Sequence, residues 1–190
     1  MIKFELKEII LVGIFAALMV VGAKLSIPTP FGVAITFQLF FAIYAGLLLS
    51  ARSALFSQLI YILLGLIGLP VFVSGGGPAY IFNPTFGYII GFALTAFVIG
   101  YLMNGLSEIK LTKVVLFASI GFIVTYLIGN VYFYIIMNLY LGKEMTMATI
   151  MGIMIPFMIK DYLLLILASY SATIVIPILR RAGYTKVTTA

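Results

Sequence analysis

The chain has 190 residues, of which 64% are hydrophobic and only 8% are charged, and its 11 Lys and Arg residues outnumber its 5 Asp and Glu residues. A soluble domain carries about 25% charged residues, so this sequence lacks the polar groups needed to cover a globular surface. The composition excludes a soluble globular protein and predicts an integral membrane protein.

Long intervals without charge predict how often the chain crosses the membrane. A membrane helix needs about 20 mainly apolar residues, and the intervals accommodate six such segments. The predicted spans are 8–28, 33–50, 53–70, 85–104, 112–138 and 150–179. The sequence does not show the alternation of apolar and polar residues that is expected of a transmembrane β-barrel. The predicted fold class is therefore all-α, with residues 1–190 forming a single domain of six transmembrane helices.

The first predicted helix carries small residues at Gly13, Ala16 and Ala17. In lipid, a surface of small residues lets another helix approach closely. The approaching helix can belong to a partner protein or to the same bundle, and the sequence leaves both alternatives open.

Two amides lie inside predicted spans, Gln38 in the second and Asn130 in the fifth. Either side chain can line a ligand cavity or form a hydrogen bond between helices. The sequence does not distinguish these two roles.

The connection between the third and fourth spans contains three consecutive glycines, Gly75 to Gly77, followed by Asn83. Glycines allow close approach of the backbone to a ligand, and an Asn side chain offers both donors and an acceptor. A flexible linker explains the glycines but not the aromatic residues around them, such as Phe72 and Tyr88. We therefore expect this long connection to fold back over the helices as a lid.

The last span contains an adjacent charged pair, Lys160 and Asp161. Charges inside a membrane are costly and usually face a cavity or a partner. If the regular helix begins near Pro156, the pair lies one to two turns below the outer surface, and the two neighbours point about 100° apart rather than at each other. We expect them to contact different ends of one ligand; snorkelling of Lys160 to the interface is the alternative.

The sequence offers little for catalysis or metal binding. It has no His and no Cys, and it has no Gly-x4-Gly-Lys-Ser/Thr motif for binding ATP. An enzyme is therefore not expected, and no cofactor or metal is assigned to this chain. Any energy for transport has to come from a partner, which can use ATP, or from an ion gradient.

The basic residues predict the orientation. With the N-terminus in the cytoplasm, the inner segments carry Lys3, Lys7, Arg52, Lys110, Lys113, Arg180, Arg181 and Lys186, whereas the outer ends carry only Lys24 and Lys143. This positive-inside bias predicts that both termini are cytoplasmic and that the glycine-rich connection is extracellular. It also accounts for the net positive charge without a nucleic-acid partner.

The sequence resembles the BioY family, the biotin-binding substrate-capture (S) components of energy-coupling-factor (ECF) transporters. The motifs that carry the resemblance are Ile27-Pro28-Thr29-Pro30, Ile35-Thr36-Phe37-Gln38, Tyr44-Ala45-Gly46-Leu47-Leu48-Leu49, Gly68-Leu69-Pro70-Val71-Phe72 with Gly75-Gly76-Gly77, Pro84-Thr85-Phe86-Gly87-Tyr88, and Pro156-Phe157 followed by Asp161. Many family members have a Lys three residues after the Asp, where this chain has Leu164. The basic group expected to meet the biotin carboxylate is therefore Lys160, with Lys24 as the alternative.

The resemblance implies a prokaryotic plasma-membrane protein that binds biotin near the outer surface, with a transmembrane coupling protein (T component) and two cytoplasmic ATPases as partners. For biotin as the ligand, we expect Asp161 and Asn83 to hold the ureido group, the loop glycines to offer backbone N–H groups, and Phe72 and Tyr88 to pack against the ring. The first helix would dock on the coupling protein. The competing function is a self-sufficient secondary transporter for biotin or another small anion.

Overall fold

Six α-helices make up most of residues 5–30, 32–106 and 108–184, the part of the chain that this computed structural model describes. They are α1 (Leu6–Lys24), α2 (Gln38–Leu48), α3 (Ala51–Leu66), α4 (Phe86–Met103), α5 (Leu111–Ile135) and α6 (Met147–Arg181). A 3-10 helix covers Pro78–Phe82, and a π-helical turn at Ile136–Tyr140 ends α5. Within the described residues the architecture is all-helical, with no β-strand.

In the described part of the chain, four helices are long and apolar enough to cross a membrane, namely α1, α4, α5 with its π-helical turn, and α6. The other two are shorter, with 11 residues in α2 and 16 in α3. At 1.5 Å per residue these two helices are about 16 Å and 24 Å long, less than a hydrocarbon core of about 30 Å. The chain is a multi-pass helical membrane protein, and the number of complete crossings by α2 and α3 stays a prediction.

Helix α2 lies at the centre of the bundle, where it packs against all five other helices. Eight of its 11 residues are buried. Gly46 permits this central position, because a Cβ there would lie 2.8 Å from the Ala96 carbonyl oxygen of α4. Small residues in α2 therefore let neighbouring backbones come close, as is typical of helices packed in membranes.

The start of α2 differs from the sequence prediction, which placed a helix from residue 33. The helix begins only at Gln38, because the preceding segment folds back on the residues that follow α1 and Phe37 donates its N–H to the Gly22 carbonyl of α1. Ile27 and Ile35 exchange two backbone hydrogen bonds of 2.9 Å. Gly32, with φ of +73°, makes the turn between them. Residues 25–37 thus form a folded connection at one end of the bundle.

The α3–α4 connection is packed onto the bundle. Phe72 is fully buried and its ring contacts Tyr61 of α3, Tyr80 and Phe86. Gly65 makes room for that ring, because a Cβ at this position would lie 2.0 Å from Phe72 Cζ. The connection is therefore held against the end of α3 by an aromatic cluster.

The expectation that α6 begins near Pro156 is wrong. The helix begins at Met147, where the Thr146 side chain caps it by accepting from the Thr149 N–H at 3.1 Å. Pro156 lies within the helix on its exposed face. Membrane helices tolerate an internal proline better than soluble ones, since neighbouring groups compensate for the missing hydrogen bond. Lys160 and Asp161 consequently lie almost four turns from the start of α6.

Candidate functional site

A cavity of about 410 Å³ lies at the end of the bundle where residues 25–37 and the α3–α4 connection meet. Its size falls in the range of small-molecule sites, about 300–1,000 Å³. The walls come from those two connections and from the facing sides of α2, α4, α5 and α6. The described residues that line it are Ser26, Pro28, Thr29, Gly32, Val33, Ala34, Thr36, Gln38, Leu39, Val73, Ser74, Tyr80, Asn83, Thr85, Tyr88, Ile89, Phe92, Thr125, Tyr126, Met154, Phe157, Lys160 and Asp161.

Two of the described lining residues are charged, Lys160 and Asp161. Lys160 Nζ lies 2.5 Å from Asp161 Oδ1, so the expectation that these neighbours do not pair is wrong. The flexible four-carbon stem of lysine lets the ammonium turn toward the adjacent carboxylate. The contact is an ion pair by distance, but Oδ1 has no partner with hydrogen-bond geometry among the described residues. This oxygen therefore retains the capacity to accept a hydrogen bond from a ligand.

The carboxylate of Asp161 is held in place from α5. Tyr126 donates its hydroxyl to Asp161 Oδ2 at 2.7 Å, and Asp161 is only 8% exposed. The Tyr126 ring packs edge-on against Tyr88 of α4, with ring centroids 5.9 Å apart. Since a buried carboxylate is costly without partners, this arrangement stabilises Asp161 at the cavity wall.

Lys160 also connects α6 to the segment before α2. Its Nζ donates to the Thr36 carbonyl oxygen at 2.6 Å. An ammonium has three N–H donors, and the Thr36 carbonyl and the Asp161 carboxylate engage two of them. Lys160 thereby holds residues 25–37 over the cavity and keeps one donor for a ligand.

Asn83 faces the cavity from the α3–α4 connection with a defined orientation. Its Oδ1 accepts from the Thr85 backbone N–H at 2.9 Å and from the Thr85 hydroxyl at 2.7 Å. Because the backbone N–H can only donate, the atom facing it is the amide oxygen. The Nδ2 group is therefore the part of Asn83 that can donate to a ligand.

The two amides inside helices differ in position. Gln38 lines the cavity, and its Nε2 also donates to the Tyr61 hydroxyl at 2.9 Å. Asn130 lies outside the described lining and accepts from the Tyr88 hydroxyl at 2.5 Å. Asn130 thus positions the ring of Tyr88, which does line the cavity.

Besides Asn130, three residues expected at the ligand lie outside the described lining: Phe72, Gly75 and Gly76. Phe72 is fully buried behind Tyr80, with ring centroids 4.4 Å apart. The N–H of Gly75 donates to the Phe72 carbonyl at 3.4 Å, so it is engaged within the loop. Gly76 lies tightly against the Leu69 carbonyl. These glycines allow the loop to fold, and Tyr80 presents its aromatic ring to the cavity instead.

Lys24 is directed away from the cavity. Its Nζ donates to the Phe72 carbonyl oxygen at 2.7 Å, and Lys24 is not among the described lining residues. Lys24 therefore ties the end of α1 to the α3–α4 connection.

Sequence reasoning missed the contribution of residues 25–37 to the cavity. Six of the described lining residues come from Pro28 to Thr36. The turn residues Pro28, Pro30 and Gly32, followed by the β-branched Val33, Ile35 and Thr36, are typical of an extended segment. These residues therefore predict an extended segment, whereas the predicted span 33–50 places a helix over part of it.

The small residues of α1 face different directions. Gly13 and Ala17 are exposed, whereas Ala16 is buried with 4% exposure. The assignment of Ala16 to a partner interface is wrong, because its methyl group is already packed inside the bundle. Gly13 and Ala17 remain open for a contact.

The chain is similar to proteins of one known family. The BioY family model matches residues 1–181. The chain belongs to the BioY family. It is 42% identical to the "Probable biotin transporter BioY" of Lysinibacillus sphaericus over 137 residues, covering 72% of this chain and 69% of that protein. It is 32% identical to the "Putative biotin transporter BioYB" of Bacillus subtilis, covering 90% of this chain and 88% of the relative.

The fold matches a solved structure described as the S-component for biotin from an ECF-type ABC transporter. The TM-score is 0.79 at 23% sequence identity, and the match covers 89% of this chain and 90% of the other. The chain therefore shares its fold with that S component over nearly its whole length.

Proposed function

We propose that this BioY family member is the biotin-binding, substrate-capture subunit of an ECF-type transporter that mediates biotin uptake. The observation that carries the proposal is a cavity of ligand size in a BioY family member, whose described lining includes an acceptor, Asp161, and a donor, Asn83. The relatives are named as transporters, and we likewise assign transport rather than catalysis to this chain.

The ureido group of biotin has two N–H donors and one carbonyl acceptor in a plane. The Asp161 carboxylate accepts from the N–H groups, since Oδ1 has only the Lys160 ammonium beside it and a carboxylate oxygen can accept more than one hydrogen bond. Asn83 Nδ2 donates to the carbonyl, since its Oδ1 is occupied by Thr85. A charged acceptor gives a stronger hydrogen bond than a neutral one, which makes Asp161 the main anchor.

The apolar bicycle of biotin packs against the aromatic residues that face the cavity. Tyr88, fixed by Asn130, takes this role together with Tyr80, Phe92 and Phe157. Burial raises the pKa of the Tyr80 hydroxyl above its usual value, so this loop residue stays neutral. Phe72, Gly75 and Gly76 support the loop from behind, and Gln38 borders the site from α2.

The carboxylate of the biotin tail binds the third N–H of Lys160. The Lys160–Asp161 pair has no net charge, so a ligand with one carboxylate makes the occupied site negative by one charge. Lys160 lies between the two carboxylates and offsets this repulsion. Neutral biotin amides avoid the extra charge, and we expect them to bind this site as well.

The orientation follows from the basic residues. We infer six membrane crossings in the plasma membrane of a prokaryote, with both termini cytoplasmic and the cavity near the outer surface. The short α2 and α3 cross with the help of the connections folded onto their ends. Gly13 and Ala17 on α1 face a transmembrane coupling protein, whose two ATPases consume the ATP.

Isothermal titration calorimetry of biotin into the purified protein tests the site. Asp161→Asn and Asn83→Ala should each weaken biotin binding by tenfold or more, and Asn104→Ala at the other end of the bundle should leave it unchanged. Wild-type biotin affinity in the Asp161→Asn, Asn83→Ala double variant would contradict the proposal that these two residues bind the ureido group.

Reconstitution in liposomes separates an ECF subunit from a secondary transporter. The chain alone should bind biotin without accumulating it. ATP-driven accumulation should require the coupling protein and the ATPases. Accumulation by the chain alone, driven by an ion gradient, would support the secondary transporter instead.

A further inference from the structure

A second, smaller cavity of about 60 Å³ lies at the opposite end of the bundle. It is formed where the first turn of α1, the α2–α3 turn, the end of α4 and the end of α6 meet. The polar residues among the described lining are Glu8, Ser50, Ser53, Asn104, Arg180 and Tyr184. The described linings of this cavity and of the proposed biotin site have no residue in common.

Arg180 has a buried donor that the protein does not use. Its Nη2 donates to the Leu106 carbonyl oxygen at 3.2 Å, but Nε is buried and has no hydrogen-bond partner among the residues that the structure describes. Leaving a buried donor of a charged group unpaired is destabilising. A fixed guanidinium beside a cavity is therefore a position where an external acceptor gains binding energy.

Hydroxyl groups and a second cation surround the cavity beside one carboxylate. Ser50 and Ser53 at the start of α3 contribute hydroxyl groups, which are linked to each other at 3.0 Å. The single acidic residue of the described lining, Glu8, has one carboxylate oxygen occupied by the Glu5 backbone N–H at 3.0 Å. Lys7 adds positive charge nearby, since its Nζ lies 4.9 Å from the centre of the Tyr184 ring.

We propose that this cavity binds the phosphate group of an anionic phospholipid in the inner leaflet. The volume of about 60 Å³ holds more than one water, whose share of liquid volume is about 30 Å³, and the guanidinium fork matches phosphate geometry. This end of the bundle also carries Arg52, Lys110 and Arg181, and basic pockets at cytoplasmic helix ends are typical of lipid headgroup sites. The inference depends on the proposed orientation but not on biotin binding.

The adjacent Arg181 provides a matched control, because it is exposed and lies outside the described lining of the cavity. Native mass spectrometry of delipidated protein, titrated with phosphatidylglycerol, measures the affinity. Arg180→Gln should weaken binding of the first lipid at least tenfold, and Arg181→Gln should change it less than threefold. Arg180→Lys keeps the charge but lacks Nε, and it should also lose affinity. Unchanged biotin affinity in each variant shows that the bundle is folded.

Two competition experiments distinguish a lipid phosphate from free phosphate as the ligand. Diacylglycerol with the same acyl chains lacks the phosphate and should not occupy the site, whereas inorganic phosphate should compete only weakly. Equal binding of phosphatidylglycerol to Arg180→Gln and Arg181→Gln, or equal binding of diacylglycerol, would overturn the proposal. Binding of inorganic phosphate with no preference for the lipid would overturn the lipid assignment.

Discussion

Lys160 binds two groups of the protein before any ligand is present. It forms an ion pair with the neighbouring Asp161 and donates to the Thr36 carbonyl of the segment that covers the cavity. The same side chain therefore stabilises a buried carboxylate, holds the cover of the site and offers a donor to a ligand. The sequence pointed to this residue because it carries an isolated charge, but it did not indicate these contacts.

Removing the Lys160 ammonium should lower both stability and biotin affinity, and a second substitution should separate the two effects. Lys160→Met leaves Asp161 buried without its counter-ion, which costs about 3–5 kcal/mol when a buried pair is broken. Thermal unfolding should therefore shift to lower temperature, and biotin affinity should fall. Adding Asp161→Asn should restore much of the stability but not the affinity. Lys143→Met, at an exposed lysine in the α5–α6 connection, serves as the control.

Tyr126 should act by positioning the Asp161 carboxylate. Tyr126→Phe removes the 2.7 Å hydrogen bond and keeps the ring, so the loss is limited to the bond to a charged group, about 1.5–3 kcal/mol. We expect biotin affinity to fall roughly tenfold or more in calorimetry. Tyr162→Phe, at the exposed tyrosine next to Asp161, should have little effect. Equal losses in both variants would contradict the positioning role.

At the scale of elements, glycines determine how closely the helices around the site approach one another. A Cβ added at Gly129 of α5 would lie 2.1 Å from the Tyr88 ring of α4. Gly152 of α6 has no neighbouring atom within 4 Å of the same position, among those described. The close α4–α5 contact at Gly129 thus places the Tyr88 ring against the cavity. The packing of α6 does not require a glycine at position 152.

Gly129→Ala should therefore displace Tyr88. Overpacking a buried contact costs about 1–3 kcal/mol, so both the unfolding temperature and biotin affinity should decrease. Gly152→Ala replaces glycine in a helix with a better helix former and should be neutral or slightly stabilising. Wild-type binding by Gly129→Ala would mean that the ring of Tyr88 is not a ligand contact.

Helix α1 allows partner docking to be separated from internal packing with two adjacent alanines. Ala17→Leu enlarges an exposed position and should preserve biotin affinity while preventing assembly with the coupling protein and uptake. Ala16→Leu overpacks a buried position, so it should reduce stability whether or not a partner is present. Copurification of the coupling protein with each variant distinguishes the two effects. Normal assembly by Ala17→Leu would exclude this face from the interface.

At the scale of the whole molecule, the two cavities lie at opposite ends of one bundle. The orientation predicted from the basic residues places the larger cavity outside and Arg180 inside. Because the chain contains no cysteine, single cysteines introduced by substitution can be labelled without background.

Labelling of intact cells with a membrane-impermeant maleimide tests this orientation. Lys143→Cys in the α5–α6 connection should react from outside. Glu108→Cys in the α4–α5 connection should react only after the membrane is permeabilised. The opposite pattern would invert the topology and move both proposed sites to the other side of the membrane.

The amino-acid sequence by itself determined the membrane class, the helical fold, the approximate helix positions and the family, because these depend on local composition, on turn residues and on motifs. The sequence also indicated Asp161 as a candidate ligand-binding residue, since a charge inside an apolar segment is conspicuous. Which side chains face the cavity was decided only by tertiary structure: Tyr80 rather than Phe72, Lys160 rather than Lys24, and Ala16 inward beside an exposed Ala17. In a membrane helix the lipid-facing and core-facing sides are both apolar. Hydrophobic periodicity therefore does not show which side of the helix packs inside the bundle. Packing of the two connections and four helices against one another supplied that information.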